Sequence, residues 1–209
     1  MNKRVKMILV LIPLLLYFCL VILDYTSLQF YSWRRDCEVE VFDVYGYARG
    51  VVEKCYFDKL ELRDYIHLGE TDAKVIIIAT HYFTSPQGDV GLGTSEKIEF
   101  YYPLVHPVRA FYVVKGILQS GIYVATPPRA LLMSNLTSKI LVLLTCKLLR
   151  IEEIIEAFTR SGARLIVVSN TISLRPDELR YLLEIVLRNI DNIESLCESD
   201  LFVCYGDTS

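Results

Sequence analysis

The chain has 209 residues, with Lys+Arg 22 against Asp+Glu 25 and a formal net charge of -3. That length supports one domain with a full core plus an accessory segment, and is too short for two ordinary domains. The lack of a basic excess excludes the electrostatic footprint of nucleic-acid binding, and neither repeats nor low-complexity linkers interrupt the chain.

The amino terminus carries Lys3, Arg4 and Lys6, and Met7 to Leu23 then runs without a charge for about 17 residues, the lower end of what a membrane-spanning helix needs. Pro13 is tolerated in such a helix, and Tyr17 with Asp24-Tyr25 suits the far interface. The basic tip holds the amino terminus in the cytoplasm and sends everything after Asp24 outside. A cleaved signal peptide has the same design, but no small-x-small site follows Leu23, which favours a retained anchor. The expected division is therefore a tip and anchor over 1–24 and an externally facing domain over 25–209.

The cysteines fit an oxidising compartment. Cys19 lies in the apolar segment; proximity pairs Cys37 with Cys55 and Cys197 with Cys204, although sequence alone does not set connectivity. Cys146 is then left over, and an unpaired thiol outside the cytoplasm is worth following.

Glu38 to Tyr45 alternates as a strand, with a turn near Gly46 to Gly50, and Glu53 to Leu68 reads as a short helix carrying Leu60, Leu62 and Ile66. Lys74 to Tyr82 is KVIIIATHY: a buried-type strand from Val75 to Ala79, then His81 just past its carboxyl end. Thr84 to Glu96 is glycine-rich and reads as a loop with one short strand pair. Its GLG lacks the strand-to-helix context of a phosphate cradle. Ala110 to Val114 and Gly121 to Ala125 read as extended, and Pro127-Pro128 closes that region. Asn135-Leu136-Thr137 is a glycosylation sequon in a polar turn.

Lys139 to Asn170 spells strand, helix, strand. Ile140 to Leu144 is apolar at every position, as in a strand covered on both faces, and Cys146 follows its carboxyl end. Ile151, Ile154, Ile155 and Phe158 form one face of the helix, Glu152, Glu153 and Glu156 the other, and Ser161-Gly162 ends it. Pro176 opens a last helix whose Leu179, Leu182, Leu183, Val186 and Ile190 make an apolar face. In open α/β sheets ligands bind beyond the carboxyl ends of the strands, and an imidazole beside a thiol can hold it as thiolate and later protonate a leaving group. His67, at a helix end, and His106, before Pro107, follow no buried strand.

The ordered set IIIATH ending at His81, GLGTSE, YVATPPRAL and LVLLTC ending at Cys146, then helix, Ser161-Gly162-Ala163 and Leu165 to Val168, resembles the caspase-like fold of caspases, gingipains, clostripain-like peptidases and CHAT domains. Microbial caspase-like proteins are the most similar. The resemblance spans Lys74 to Ile190 and implies a three-layer, mostly parallel, Rossmann-like sheet with helices on both faces. It also implies a His81/Cys146 dyad acting on a protein or peptide substrate, the backbone N–H groups of Tyr82 and Cys146 at the oxyanion, and no metal or organic cofactor.

Tyr82 and Thr145 stand where that family favours smaller residues, and Asn170-Thr171 with Arg175-Pro176-Asp177 stand where many microbial relatives carry a tryptophan and His-Thr-Asp. Substrate-pocket residues are therefore not carried over. Leu20 to Asp24 is the candidate for a first strand of that fold, in competition with the membrane reading. The leading expectation is a membrane-anchored cysteine endopeptidase. The alternatives are a caspase-like binding or assembly module without turnover, and a tethered α/β domain unrelated to peptidases.

Overall fold

The computed structural model describes residues 3–29, 37–47, 49–52, 55–85, 87–118, 121–146, 151–171 and 175–206. Helix α1 (Lys3–Gln29) precedes β1 (Val39–Asp43), β2 (Tyr56–Phe57), α2 (Leu62–Ile66), β3 (Val75–Ala79), β4 (Tyr82–Thr84) and β5 (Val90–Lys97). Then come α3 (Tyr102–Val105), β6 (Val114–Leu118), β7 (Gly121–Thr126), α4 (Pro128–Leu131), β8 (Ile140–Leu144), α5 (Glu152–Arg160), β9 (Leu165–Ser169), α6 (Pro176–Arg188) and β10 (Phe202–Gly206).

The described strands form a main sheet in the order β10-β9-β8-β3-β1-β2, parallel throughout except for β10, which runs antiparallel to β9. Apolar side chains at every position of β3 and β8, and from Leu165 to Val168 of β9, supply both faces at once. Ile76, Ile78, Leu141, Leu143, Ile166 and Val168 enter one core with Ile154, Ile155 and Phe158 of α5. Val75, Ile77, Val142, Leu144, Leu165 and Val167 enter the other with Leu179, Leu182, Leu183 and Val186 of α6. Each such side chain contributes roughly 1.5–3 kcal/mol by leaving water. Polar residues on these strands would have to be partnered on both sides, and helices on both faces make the domain a three-layer α/β fold.

Both cysteine pairs form, Cys37 with Cys55 and Cys197 with Cys204. The first has a local consequence. It holds Cys55 beside β1, where the Val41 N–H donates to the Cys55 carbonyl at 3.0 Å, so Tyr56–Phe57 adds to the sheet edge. The helix expected over Glu53 to Leu68 is accordingly shortened to α2, and Asp64 accepts from the Glu61 N–H at 2.6 Å at its start. Residues 53 and 54 lie outside the described residues.

The expected loop over Thr84 to Glu96 is mostly strand: β4, β5, β7 and β6 form a second, antiparallel sheet in that order. Its glycines mark a close approach rather than a turn. A Cβ at Gly93 would stand 2.8 Å from the Phe83 ring and one at Gly116 2.7 Å, so the two strands make room for that ring. The extended reading of Ala110 to Val114 holds only from Val114, because Arg109–Tyr112 is a 3-10 turn.

That turn is shaped by α1. Leu20 to Asp24 is helical, so it supplies no strand, and the first strand among the described residues is β1. From Leu9 to Leu23 nearly all side chains are exposed, and Leu9–Gln29 is long and apolar enough to cross a membrane. Asp24, by contrast, is buried and accepts from the backbone N–H groups of Val108 at 2.9 Å and Arg109 at 3.0 Å. The Arg109 guanidinium stands 3.1 Å from the same carboxylate, and His106 Nδ1 3.2 Å. Leu28 is buried against Leu62, Ile66 and Ala130, and its carbonyl accepts from His67 Nε2. The boundary drawn between 24 and 25 thus falls inside a continuous helix whose last turns belong to the domain.

Replacing Asp24 with Ala strands a buried guanidinium and two backbone donors, and is expected to cost on the order of 3–5 kcal/mol. Asp24→Asn keeps an acceptor for the N–H groups and should cost less. Thermal unfolding of the full chain in detergent micelles checks the order of the two. Reducing the disulfides should cost about 2–3 kcal/mol each by the chain-entropy argument, read as a lower denaturant midpoint.

Candidate functional site

Three parallel strands of the main sheet end in register. Asp43 of β1 pairs with Ala79 of β3, and Ala79 with Leu144 of β8. Two residues beyond each end stand Tyr45, His81 and Cys146, equal steps past one row of the ladder. Neighbouring strands stand about 4.8 Å apart, and residues at equal parity fall on the same face. His81 and Cys146 therefore occupy matching positions just past the ends of adjacent parallel strands, each half-buried.

Backbone contacts carry the register past the strands. The Val44 N–H donates to the Ala79 carbonyl at 2.9 Å, and the Thr80 N–H donates to the Leu144 carbonyl at 3.1 Å. Thr145 is clamped to the next strand: its N–H donates to Ser169 Oγ at 3.0 Å, and the Ser169 hydroxyl donates to the Thr145 carbonyl at 2.7 Å. Thr80 donates from Oγ1 to the Gly93 carbonyl at 2.7 Å, which ties the histidine tip to the small sheet. Both threonines are fully buried, and the polar contacts of their backbones hold the flanking His81 and Cys146. The link from Cys146 to α5, residues 147–150, lies outside the described residues, as do residues 172–174 of the segment after β9.

Tyr45 is the residue that sequence reasoning missed. Buried Asp43 folds the turn after β1 by accepting from the Tyr45 N–H at 3.1 Å, the Gly46 N–H at 3.0 Å and the Tyr56 hydroxyl at 2.9 Å. Gly46 supplies the positive φ of +70° that the turn needs. The Tyr45 ring is thereby laid across the tip of β3. Its hydroxyl donates to the Thr80 carbonyl at 2.8 Å, and its ring meets the His81 ring edge-on at 4.1 Å between centroids. Burial pushes the Tyr45 phenol far up, with the adjacent Cys146 the next contributor, so it stays a neutral donor at any physiological pH. The expected strand ran on to Tyr45; only its end at Asp43 puts Tyr45 at the offset at which His81 and Cys146 follow their strands.

On its other side His81 stands 5.8 Å from the Phe83 ring. Burial between these rings lowers the imidazole below its ordinary value, so at neutral pH it is uncharged and able to take a proton. The Gly93 N–H donates to the His81 carbonyl at 2.7 Å, and Tyr82 pairs with Leu92. This makes Tyr82–Leu92 a narrow pair of the ladder, so the Tyr82 N–H is directed away from β5.

Beyond Tyr45, Tyr47 stacks on its ring at 5.3 Å. A cleft of about 490 Å³ opens there, lined by Tyr47, Pro176, Asp177, Arg180, Tyr181 and Glu184. Most of its lining comes from the start of α6. The other expected residues lie elsewhere. Cys37, Cys55, Cys197 and Cys204 are spent in disulfides. His67 and His106 hold the end of α1. Asn135 is exposed in the turn before β8, where Thr137 donates from Oγ1 to its Oδ1 at 2.7 Å.

The chain matches no protein-family model and no curated protein.

With the Tyr45 ring removed, water reaches the imidazole. Tyr45→Ala is therefore expected to raise the His81 pKa toward the ordinary value of about 6.5, whereas Tyr45→Phe leaves it low. An NMR titration of the imidazole protons reads both. Because the folded value is the lower one, protonation favours unfolding. The stability contributed by neutral His81 is present above about pH 6.5 and is lost as pH falls through the native value.

Proposed function

We propose that the protein is a membrane-anchored, externally facing cysteine endopeptidase of caspase-like fold, with His81 and Cys146 as its dyad. The observation that carries this reading is the register-matched placement of the two residues at the carboxyl ends of adjacent parallel strands. Two disulfides support a compartment outside the cytoplasm, where Asn135 is then available for glycosylation. The entry of α1 into the domain's buried contacts supports a retained anchor.

In the reaction, His81 takes the thiol proton and the Cys146 thiolate adds to the carbonyl carbon of a peptide bound along the cleft beside Tyr47. The carbonyl π electrons move to oxygen, which the Cys146 and Tyr82 N–H groups receive. As the C–N bond breaks, His81 returns the proton to the leaving amine. Water, deprotonated by His81, then hydrolyses the thioester and restores the thiol. Tyr45 is a positioning residue: it holds the imidazole and does not exchange a proton.

A second reading, a caspase-like binding or assembly module without turnover, is favoured by Tyr82 in the position where a smaller residue would leave the oxyanion more room.

The test is the alkylation rate of Cys146 against pH in the full chain, followed by peptide cleavage. A working dyad gives alkylation well below the pH of an ordinary thiol, near about 8.5, and His81→Ala removes that advantage. On a cleaved peptide, His81→Ala should lower kcat/KM by roughly 10²–10⁴-fold, and Cys146→Ala should abolish turnover. An ordinary thiol, indifferent to His81, would exclude the peptidase and leave the binding module.

A further inference from the structure

Exposed large apolar side chains cluster where α1 enters the domain. Phe100 is 93% exposed, Leu104 62% and Phe111 77%, with Val105 and Met133 also open. Phe100, Leu104, Val105 and Phe111 belong to the single stretch that contains α3 and the 3-10 turn Arg109–Tyr112. Isolated exposed apolar residues need no explanation, but a concentration of them at one place on a surface marks an interaction site.

The position of this stretch relative to the helix is set by buried contacts. Asp24 binds the backbone of Val108 and Arg109, His106 reaches the same carboxylate, and the Arg109 guanidinium donates to Ser27 Oγ at 2.9 Å. Leu104 lies two residues before His106 and Phe111 two after Arg109. At about 2 Å of rise per residue in 3-10 geometry, Phe111 is within a single turn of the backbone that Asp24 holds. The neighbouring α4 is tied in as well: Ala130 packs with Leu28, and Arg129 Nε donates to the Phe111 carbonyl at 3.1 Å.

Asp24 is also the first charge after the uncharged run from Met7 to Leu23. In a spanning helix such a residue marks the end of the hydrocarbon, because a charge deeper in would be costly. Residues 106–109 are thereby held at the level where α1 leaves the bilayer, and the exposed residues on either side of them stand beside the acyl–headgroup boundary. Aromatic and large aliphatic side chains prefer that depth. The adjoining cleft sets Glu61, Glu96 and Glu99 against Lys97 and an Arg109 already paired with Asp24, so it offers no basic excess to attract anionic lipid.

We infer that the stretch from Phe100 to Phe111 is a second membrane contact, inserting Leu104, Val105 and Phe111 among zwitterionic lipids beside the anchor. This rests on the reading of α1 as a retained membrane anchor. The helix and the docked domain are then held to the bilayer at two points, which fixes the tilt of the two together.

The experiment uses the full chain in phosphatidylcholine vesicles, half of them carrying brominated acyl chains. Trp33 is the single tryptophan, so Trp33→Phe provides the background, and Phe111→Trp, Leu104→Trp and Tyr181→Trp are made in it one at a time. The Phe111→Trp and Leu104→Trp proteins should lose most of their emission in brominated vesicles, with little change at high salt. The Tyr181→Trp protein, with its reporter at an exposed position of α6, should not. Two probe positions guard against misfolding of one variant. Chain that floats with the vesicles but keeps its emission at both probes would overturn the second contact and leave the patch to a protein partner or a second copy. Chain that does not float would overturn the anchor itself, and the second contact with it.

Discussion

The in-register parallel pairing of β3 with β8 is the constraint on which the rest of the structure depends. Each strand is apolar at all five positions and buried at all five, so neither can slip by one residue without moving every side chain to the opposite core. That double burial needs a helix layer on each side, which α5 and α6 provide. It also leaves the carboxyl ends as the place where polar side chains can leave the apolar interior, and His81 and Cys146 stand there.

The site is built by backbone as much as by side chains. The Thr80 and Thr145 tips are held by Leu144, Ser169 and Gly93, each through a carbonyl, amide or hydroxyl that would otherwise be buried without a partner. The small antiparallel sheet has a similar supporting role. Its glycines admit the Phe83 ring, and that ring with Tyr45 shields the imidazole. A shielded imidazole keeps its neutral, proton-accepting form to lower pH than a solvated one does.

The apolar helix is joined to this domain through a carboxylate. Asp24 is an acid at the end of an uncharged run, and Arg109, His106 and two backbone donors compensate for its burial. Two of the three histidines are thus spent on the end of α1, and the third follows the strand next to the one that Cys146 follows. The same contacts give the exposed apolar stretch around Phe111 a definite position relative to the helix.

Much of this was legible in the amino-acid order because it depends on local periodicity. Runs such as VIIIA and ILVLL announce buried strands, the spacing of Ile154, Ile155 and Phe158 announces a one-faced helix, and His81 and Cys146 were visible as polar residues just past such runs. Tyr45 was not singled out, because its value comes from the turn that Asp43 closes and from the ring it is laid against, both products of long-range packing. The strands through Gly91 and Gly93 were hidden for a related reason: a glycine that signals a turn in isolation signals a close approach once Phe83 and Ala125 lie opposite it. Composition and periodicity alone determined an α/β chain with one apolar amino-terminal segment and a candidate thiol. Only the tertiary structure decided which strands are neighbours, and hence that the histidine and the cysteine share one row, because adjacency in a sheet is set by contacts between residues far apart in the chain.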